Sequence, residues 1–355
     1  MRIRLLTSLV LAACLVSTAF AGELSTERVF GPEVPTGPYK HPACLTELDN
    51  GDLYLVYYGG QGEYATETSV FGSRKKKGET AWSTPIPVAR DPQRSVGNGV
   101  VWQAPDGIVW LFYVVREGET WSTSRIQFKV SNDGAKSWSD ASVLTLDPGM
   151  MVRNSPIVLA DGQYLLPLYH ETGNDIELSG PDSTSVFYRY DPKAKSKRWT
   201  ELSRIKSVKG NLQPSVAELK PGHLIAYCRR AGDYLPATKG YLVRAESHDG
   251  GKTWSEGVDS PFPNPNAAVD FLKLKSGRLL LVYNDCYHGR SPLTVALSSD
   301  NDKTYPRRRN LAKAPNGDFA YPVAFQAHDG KIHVIYTSDR RAVINHAVFD
   351  EDWIK

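Results

Sequence analysis

Residues 213–230 read QPSVAELKPGHLIAYCRR, and residues 247–254 read SHDGGKTW. The first stretch is an apolar run, a Pro221-Gly222 turn and a second apolar run. Such tight turns need a positive φ, which glycine adopts without steric cost, so the stretch predicts a β-hairpin. The second stretch has the form Ser-x-Asp-x-Gly-x-Thr-Trp. In this Asp-box a short carboxylate bonds the backbone N–H groups of a turn, and the aromatic tucks into the sheet. It is a folding device and carries no chemistry.

Working outward, the hairpin recurs at residues 41–60, 97–115, 154–171, 267–285 and 321–339. The turn glycines are Gly51, Gly107, Gly162, Gly222, Gly277 and Gly330, separated by 56, 55, 60, 55 and 53 residues. Alternation on the flanks, as in Asp52-Leu53-Tyr54-Leu55-Val56-Tyr57, supports strands. The Asp-box recurs at Ser131–Trp138 and Ser298–Tyr305, and degenerate versions end at Trp82 and Trp199. Six hairpins, each followed by a second hairpin, predict an all-β fold: a six-bladed β-propeller of four-stranded blades. Residues 27–36 are expected to supply the strand that closes the ring. Every repeat needs its neighbours to bury its faces, so residues 22–355 form a single domain.

Composition agrees. Of 355 residues 41% are hydrophobic and 23% charged, which excludes disorder as the main state. The 18 Tyr, 8 Trp, 29 Gly and 23 Pro lean towards β structure. The formal charge of +3 falls to +1 once Arg2 and Arg4 of the leader are set aside, so nucleic acid is not an expected partner. Residues 1–21 read as a secretory signal peptide: MRIR, an apolar run, then Ala19-Phe20-Ala21 at the cleavage site. A secreted or periplasmic protein follows. Leu11-Ala12-Ala13-Cys14 offers the alternative of a lipid anchor on Cys14. No membrane span is expected beyond the leader, and a monomer is expected. Cys44, Cys228 and Cys286 form no CxxC pair and read as small buried residues. HExxH, P-loop and dinucleotide motifs are absent from the sequence, so neither metal nor cofactor is expected.

Strand direction sorts the remaining residues. The start of each first strand and the end of each second strand lie on one face, with the glycine turns on the other. The first set is His41, Asn98, Asn154, Gln213, Asp270 and Tyr321. The second includes Glu63, Arg116, His170, Glu171, Arg229, Arg290, Arg340 and Arg341. The loop 173–183 is expected to wall this face. Arginines here suit an anionic ligand, because a guanidinium grips a carboxylate as a fork. Arg153 belongs with them. Lys75–Lys77 and Arg307–Arg309 fall at outer turns, as solvated charge.

On these Asp-boxes and this face the chain resembles the sialidase (neuraminidase) superfamily, in particular bacterial BNR/Asp-box proteins. That resemblance implies three arginines on a substrate carboxylate, a Tyr nucleophile assisted by a Glu, and an Asp acid/base. Arg229 and Arg290 match the second and third arginines, and Tyr321 in DFAYPVAF matches the nucleophile. Lys40, in Tyr39-Lys40-His41-Pro42, stands where the first arginine would be. Gln213 stands in place of the Glu, Glu63 is the carboxylate nearest the acid/base position, and Thr337 replaces a late Glu. The implied function is a secreted exo-glycosidase on a terminal acidic sugar, a sialic acid or a uronate, presented by an oligosaccharide or polysaccharide. Asp270 is a further candidate for substrate contact. Two alternatives stay open. One is a polysaccharide lyase pairing His41 or His170 with Tyr321. The other is a carbohydrate-binding propeller without catalysis.

Overall fold

The computed structural model describes residues 22–176, 178–196, 198–232 and 239–354. The leader, with its cleavage site and Cys14, lies outside the described residues. Six blades surround a central axis. After β1 (Ser25–Phe30), blade one holds β2 (Tyr39–Glu47), β3 (Leu53–Gly60), β4 (Ser69–Lys75) and β5 (Ile86–Ala89). Blade two holds β6 (Val96–Gln103), β7 (Val109–Arg116), β8 (Ser124–Ser131) and β9 (Ser142–Val143). In blade three the innermost strand is broken into β10 (Met150–Val152) and β11 (Ile157–Val158), ahead of β12 (Tyr164–His170), β13 (Thr184–Tyr190) and β14 (Thr200–Ile205). Blade four is β15 (Asn211–Lys220), β16 (His223–Arg230), β17 (Tyr241–Ser247) and β18 (Val258–Pro263). Blade five is β19 (Asp270–Lys273), β20 (Leu279–Asn284), β21 (Leu293–Ser298) and β22 (Arg307–Ala312). Blade six is β23 (Ala320–Gln326), β24 (Ile332–Ser338) and β25 (Val343–Phe349), completed by β1.

The closing strand is therefore Ser25–Phe30, not 27–36: Ser25 pairs with Val348 and Thr26 with Ala347. Residues beyond Phe30 turn away as a loop. All six turn glycines have φ between 81° and 89°. In five of them the glycine N–H donates to the carbonyl three residues back, as Gly51 does to Leu48. In blade four the Glu218 carboxylate takes that place, at 2.8 Å from the Gly222 nitrogen. Among the described residues helical structure is confined to two short 3-10 turns, and no helix is long and apolar enough to cross a membrane. The three cysteines are unpaired; Cys44 and Cys228 are buried in strands, and Cys286 is half-buried.

The Asp-box does more than close a turn. Asp249 accepts from the Thr253 N–H at 2.9 Å and its hydroxyl at 2.6 Å, and from Ser247 at 2.9 Å. This holds Trp254 against the preceding blade rather than its own. Its ring stacks on Phe187 of β13 at 4.5 Å, and its indole N–H donates to Ser203 at 3.1 Å. Trp138 likewise meets Tyr54, Trp199 meets Trp110, and Tyr305 meets Phe262. The 51–61-residue aromatic spacing thus marks a joint between neighbouring blades. Trp254→Ala is expected to lower the stability of the described propeller by about 2–4 kcal/mol in chemical denaturation. A loss under about 0.5 kcal/mol would mean that the joint carries little of the inter-blade energy.

Candidate functional site

The site begins with a backbone irregularity. Four innermost strands slip register near their start: between Lys40 and Ala43, Gly97 and Val100, Leu212 and Ser215, and Ala320 and Val323. A bulge breaks the in–out alternation and re-aims the extra side chain. The residues so placed are His41, Asn98, Gln213 and Tyr321, each followed by Pro or Gly. Asn98, Gln213 and Tyr321 have φ of 48°, 51° and 53°. Non-glycine residues in this left-handed region cost on the order of 1–3 kcal/mol, and such strain collects at functional sites. All four converge on a cleft at the axis. Tyr64, Trp121 and Ile176 wall it, so the 173–183 loop borders the cleft as expected.

Tyr321 is the centre of the cleft. Its hydroxyl accepts from Arg229 Nη1 at 2.7 Å. The guanidinium carbons of Arg153, Arg290 and Arg229 lie 5.2, 5.4 and 5.9 Å from its ring centroid. Burial pushes the phenol towards a higher pKa, but Arg229, Arg290 and Arg341 outweigh it, and the phenol titrates below its ordinary value. Arg229 is fixed from two further sides. Its Nε donates to Asn266 Oδ1 at 2.6 Å, and Nη1 also donates to Gln213 Oε1 at 3.1 Å. Gln213 in turn donates to the Tyr169 hydroxyl at 3.3 Å. Glu63 sits on the opposite wall. It accepts from Tyr39 at 2.6 Å and from Arg341 at 2.5 Å. Two carboxylates, Glu63 and Glu171, line this cleft against Arg229 and Arg341, with Arg290 beside the Tyr321 ring, so the arginines outnumber them and favour an anion.

His41 lies edge-on to Tyr321, with ring centroids 4.2 Å apart. The Thr337 hydroxyl donates to the Ala320 carbonyl at 3.3 Å, so it accepts from His41 Nδ1–H at 2.7 Å. That assigns the tautomer and leaves Nε2 as the basic nitrogen. Burial, followed by Arg341, Arg290, Arg153 and Arg229, holds His41 well below the ordinary histidine pKa, so the ring is neutral.

Four candidates lie elsewhere. Lys40 is fully buried, and its ammonium donates to the carbonyls of Val34 at 3.2 Å and Gly37 at 2.5 Å, away from the cleft. Arg153 is 1% exposed and packs against Tyr321, donating to the Tyr321 carbonyl at 2.6 Å; it holds the bulge and does not line the cleft. Asp270 accepts from Ser215 at 2.6 Å and from the Ala324 N–H at 2.6 Å, tying blades four, five and six below the site. His170 ends β12 but bonds the Pro148 carbonyl at 3.1 Å and Arg204 at 3.4 Å. Second strands stand one position out from the axis. A long arginine can reach back from there, whereas an imidazole cannot. Sequence reasoning placed Arg341 on this face but gave it no role. Asp339, Arg340 and Arg341 have φ of 53°, 53° and 69°, and this turn sends Arg341 back to Glu63. The Asp-Arg-Arg run at the end of blade six was the available signal. Tyr39 and Asn266 carried none.

The propeller superposes on the Hadza microbial sialidase Hz136 with a TM-score of 0.73 at 16% identity, over 91% of this chain and 68% of that one. It superposes on the intramolecular trans-sialidase from Ruminococcus gnavus, solved with oseltamivir carboxylate, with a TM-score of 0.72 at 14% identity, over 92% and 98%. An α-L-arabinanase from Penicillium chrysogenum, solved with arabinobiose, gives 0.63 at 14% identity, over 92% and 97%. At such identities the likeness establishes the sialidase-like propeller fold alone. No curated protein sequence matches the chain. The family model for the BNR repeat-like domain matches residues 51–334, and the chain belongs to that family.

Proposed function

We propose that this protein is a glycan-active enzyme, an exo-glycosidase on a terminal acidic sugar. Arg229, Arg290 and Arg341 hold the sugar carboxylate and Tyr321 attacks the anomeric carbon. The observation that carries the reading is Arg290. It is 8% exposed, its guanidinium hydrogen-bonds to none of the described residues, and its central carbon lies 5.4 Å from the Tyr321 ring centroid. A buried guanidinium without a counter-ion is costly, and a carboxylate between it and Arg229 relieves that cost.

The arginine field also accounts for Gln213. A carboxylate there would take the Tyr321 proton but would neutralise Arg229. Gln213 instead orients Arg229 through its carbonyl oxygen. The field itself then lowers the phenol pKa and makes the phenolate, the real nucleophile, accessible. Glu63 is the acid/base: it gives a proton to the leaving oxygen and later takes one from water. The leader supports action outside the cytoplasm.

A second reading rests on His41, a neutral imidazole with a basic Nε2 beside Tyr321. On a uronate, His41 and Tyr321 could move the two protons of an elimination. Sialosides and uronate-terminated oligosaccharides separate the two. Hydrolysis frees a reducing end without ultraviolet absorbance; elimination also yields an absorbing unsaturated sugar. Tyr321→Phe is expected to cut turnover by about 10²–10⁴-fold, and Arg229→Ala to cut kcat/KM by about 10–100-fold. Full activity in Tyr321→Phe, or no product from either class, would contradict the enzymatic reading.

A further inference from the structure

A second constellation lies on the opposite face, at the glycine turn of blade four. β16 and β17 pair Leu224 with Ser247 and Ile225 with Glu246. The next cross-strand position sets His223 against His248. Glu246 lies two residues before His248, so alternation puts all three side chains on one face of the ribbon. One donor atom from each lies within 4.8 Å of the other two. The imidazoles stack at 4.5 Å with 29° between planes, and His248 Nε2 is 3.5 Å from Glu246 Oε2.

Two observations indicate a missing partner. His223 Nε2 is shut off from solvent and bonds to none of the described residues, although the ring as a whole is half-buried. Enclosed polar atoms are almost always satisfied, so an orphan of this kind points to a group that completes it. Finally, the support is built. Arg244 Nη2 donates to Glu246 Oε1 at 2.5 Å, which leaves Oε2 directed at His248. Asp302 at 2.7 Å from Arg244 Nε matches the arginine charge. The Asp-box fixes the backbone around His248, and its Gly250 N–H donates to the Gly222 carbonyl at 2.9 Å, which locks the two turns together.

We propose that His223, Glu246 and His248 form a site for a zinc-type divalent metal ion, with water completing the shell. Two imidazoles and a carboxylate are zinc ligands; calcium takes oxygen ligands. Zn–N and Zn–O bonds of about 2.0–2.1 Å place tetrahedral ligand atoms about 3.3 Å apart. The cluster therefore closes by roughly 1.5 Å on binding, a shift that His248, with 70% of its side chain exposed, can make by rotation. Residues 223, 246 and 248 meet only through strand pairing, so no contiguous motif announces them. The site is separate from the arginine cleft and independent of its reading.

The test uses tag-free protein stripped with a chelator and titrated calorimetrically with Zn²⁺ alone, and in parallel with Ca²⁺. One equivalent of zinc is expected to bind and to raise Tm, with no calcium bound. His248→Ala, at an exposed position that leaves the fold intact, is expected to weaken zinc at least tenfold and to remove the Tm shift. His223→Ala and Glu246→Gln are expected to do the same with unchanged circular dichroism. Absence of saturable zinc binding overturns the proposal. So does an affinity that is the same in wild type, His248→Ala and His223→Ala.

Discussion

The pairing of β1 with β25 is the constraint on which the rest depends, because the cleft straddles the seam that this pairing closes. Blade six brings Tyr321, Thr337 and Arg341; blade one brings Tyr39, His41 and Glu63. Three contacts cross the seam. The Lys40 N–H donates to the Arg341 carbonyl at 2.8 Å, His41 bonds Thr337 at 2.7 Å, and Arg341 meets Glu63 at 2.5 Å. Glu27, on β1, fastens the turn-side end. It accepts from His346 at 2.8 Å, Lys75 at 3.0 Å and Trp82 at 3.3 Å. Burial alone would raise the Glu27 pKa, but the bonds from His346 and Lys75 hold it at about 2. One carboxylate thus joins the first strand, blade six and blade one.

The closed ring allows a local arrangement that would not survive in an open sheet. Three arginine side chains pack round one phenol, on a residue held at φ 53°. Each element is unfavourable alone. Arg153 offsets part of the strain by tying the Tyr321 and Pro322 carbonyls from below, at 2.6 and 3.2 Å. The Asp270 carboxylate lies within its field and tempers its charge. Above this layer, positive charge exceeds negative, and the excess acts on the Tyr321 proton. Burial, reinforced by the same excess, keeps His41 neutral. The arginine field therefore acts on both groups best placed to do chemistry, against burial at Tyr321 and together with burial at His41.

Much of this was legible in the sequence. Turn glycines at a spacing of 53–60 residues and the Asp-box at 247–254 fix blade number and strand count, because both report local backbone geometry. Strand direction alone brought His41, Gln213, Tyr321, Arg229, Arg290 and Glu63 to one face. It could not tell which charges the scaffold would consume. Lys40 caps the loop after β1, Asp270 ties three blades, and Arg153, grouped by sequence with the anion-binding arginines, is buried against Tyr321. Arg341 went unassigned because its direction depends on three consecutive positive-φ residues, which composition does not encode. The metal ligands of blade four were hidden because their proximity comes from register, not spacing.

The chemistry of the cleft turns on the electrostatics of Tyr321. An ultraviolet difference titration of wild type against Tyr321→Phe measures it directly. Free tyrosine ionises near pH 10, while burial raises Tyr39, Tyr58 and Tyr169 well above that. A depressed pKa means that the fold favours the phenolate, so the wild-type protein should gain one tyrosinate below pH 10 that the variant lacks. A difference spectrum that stays flat to pH 10 would contradict the arginine field as the source of nucleophile activation.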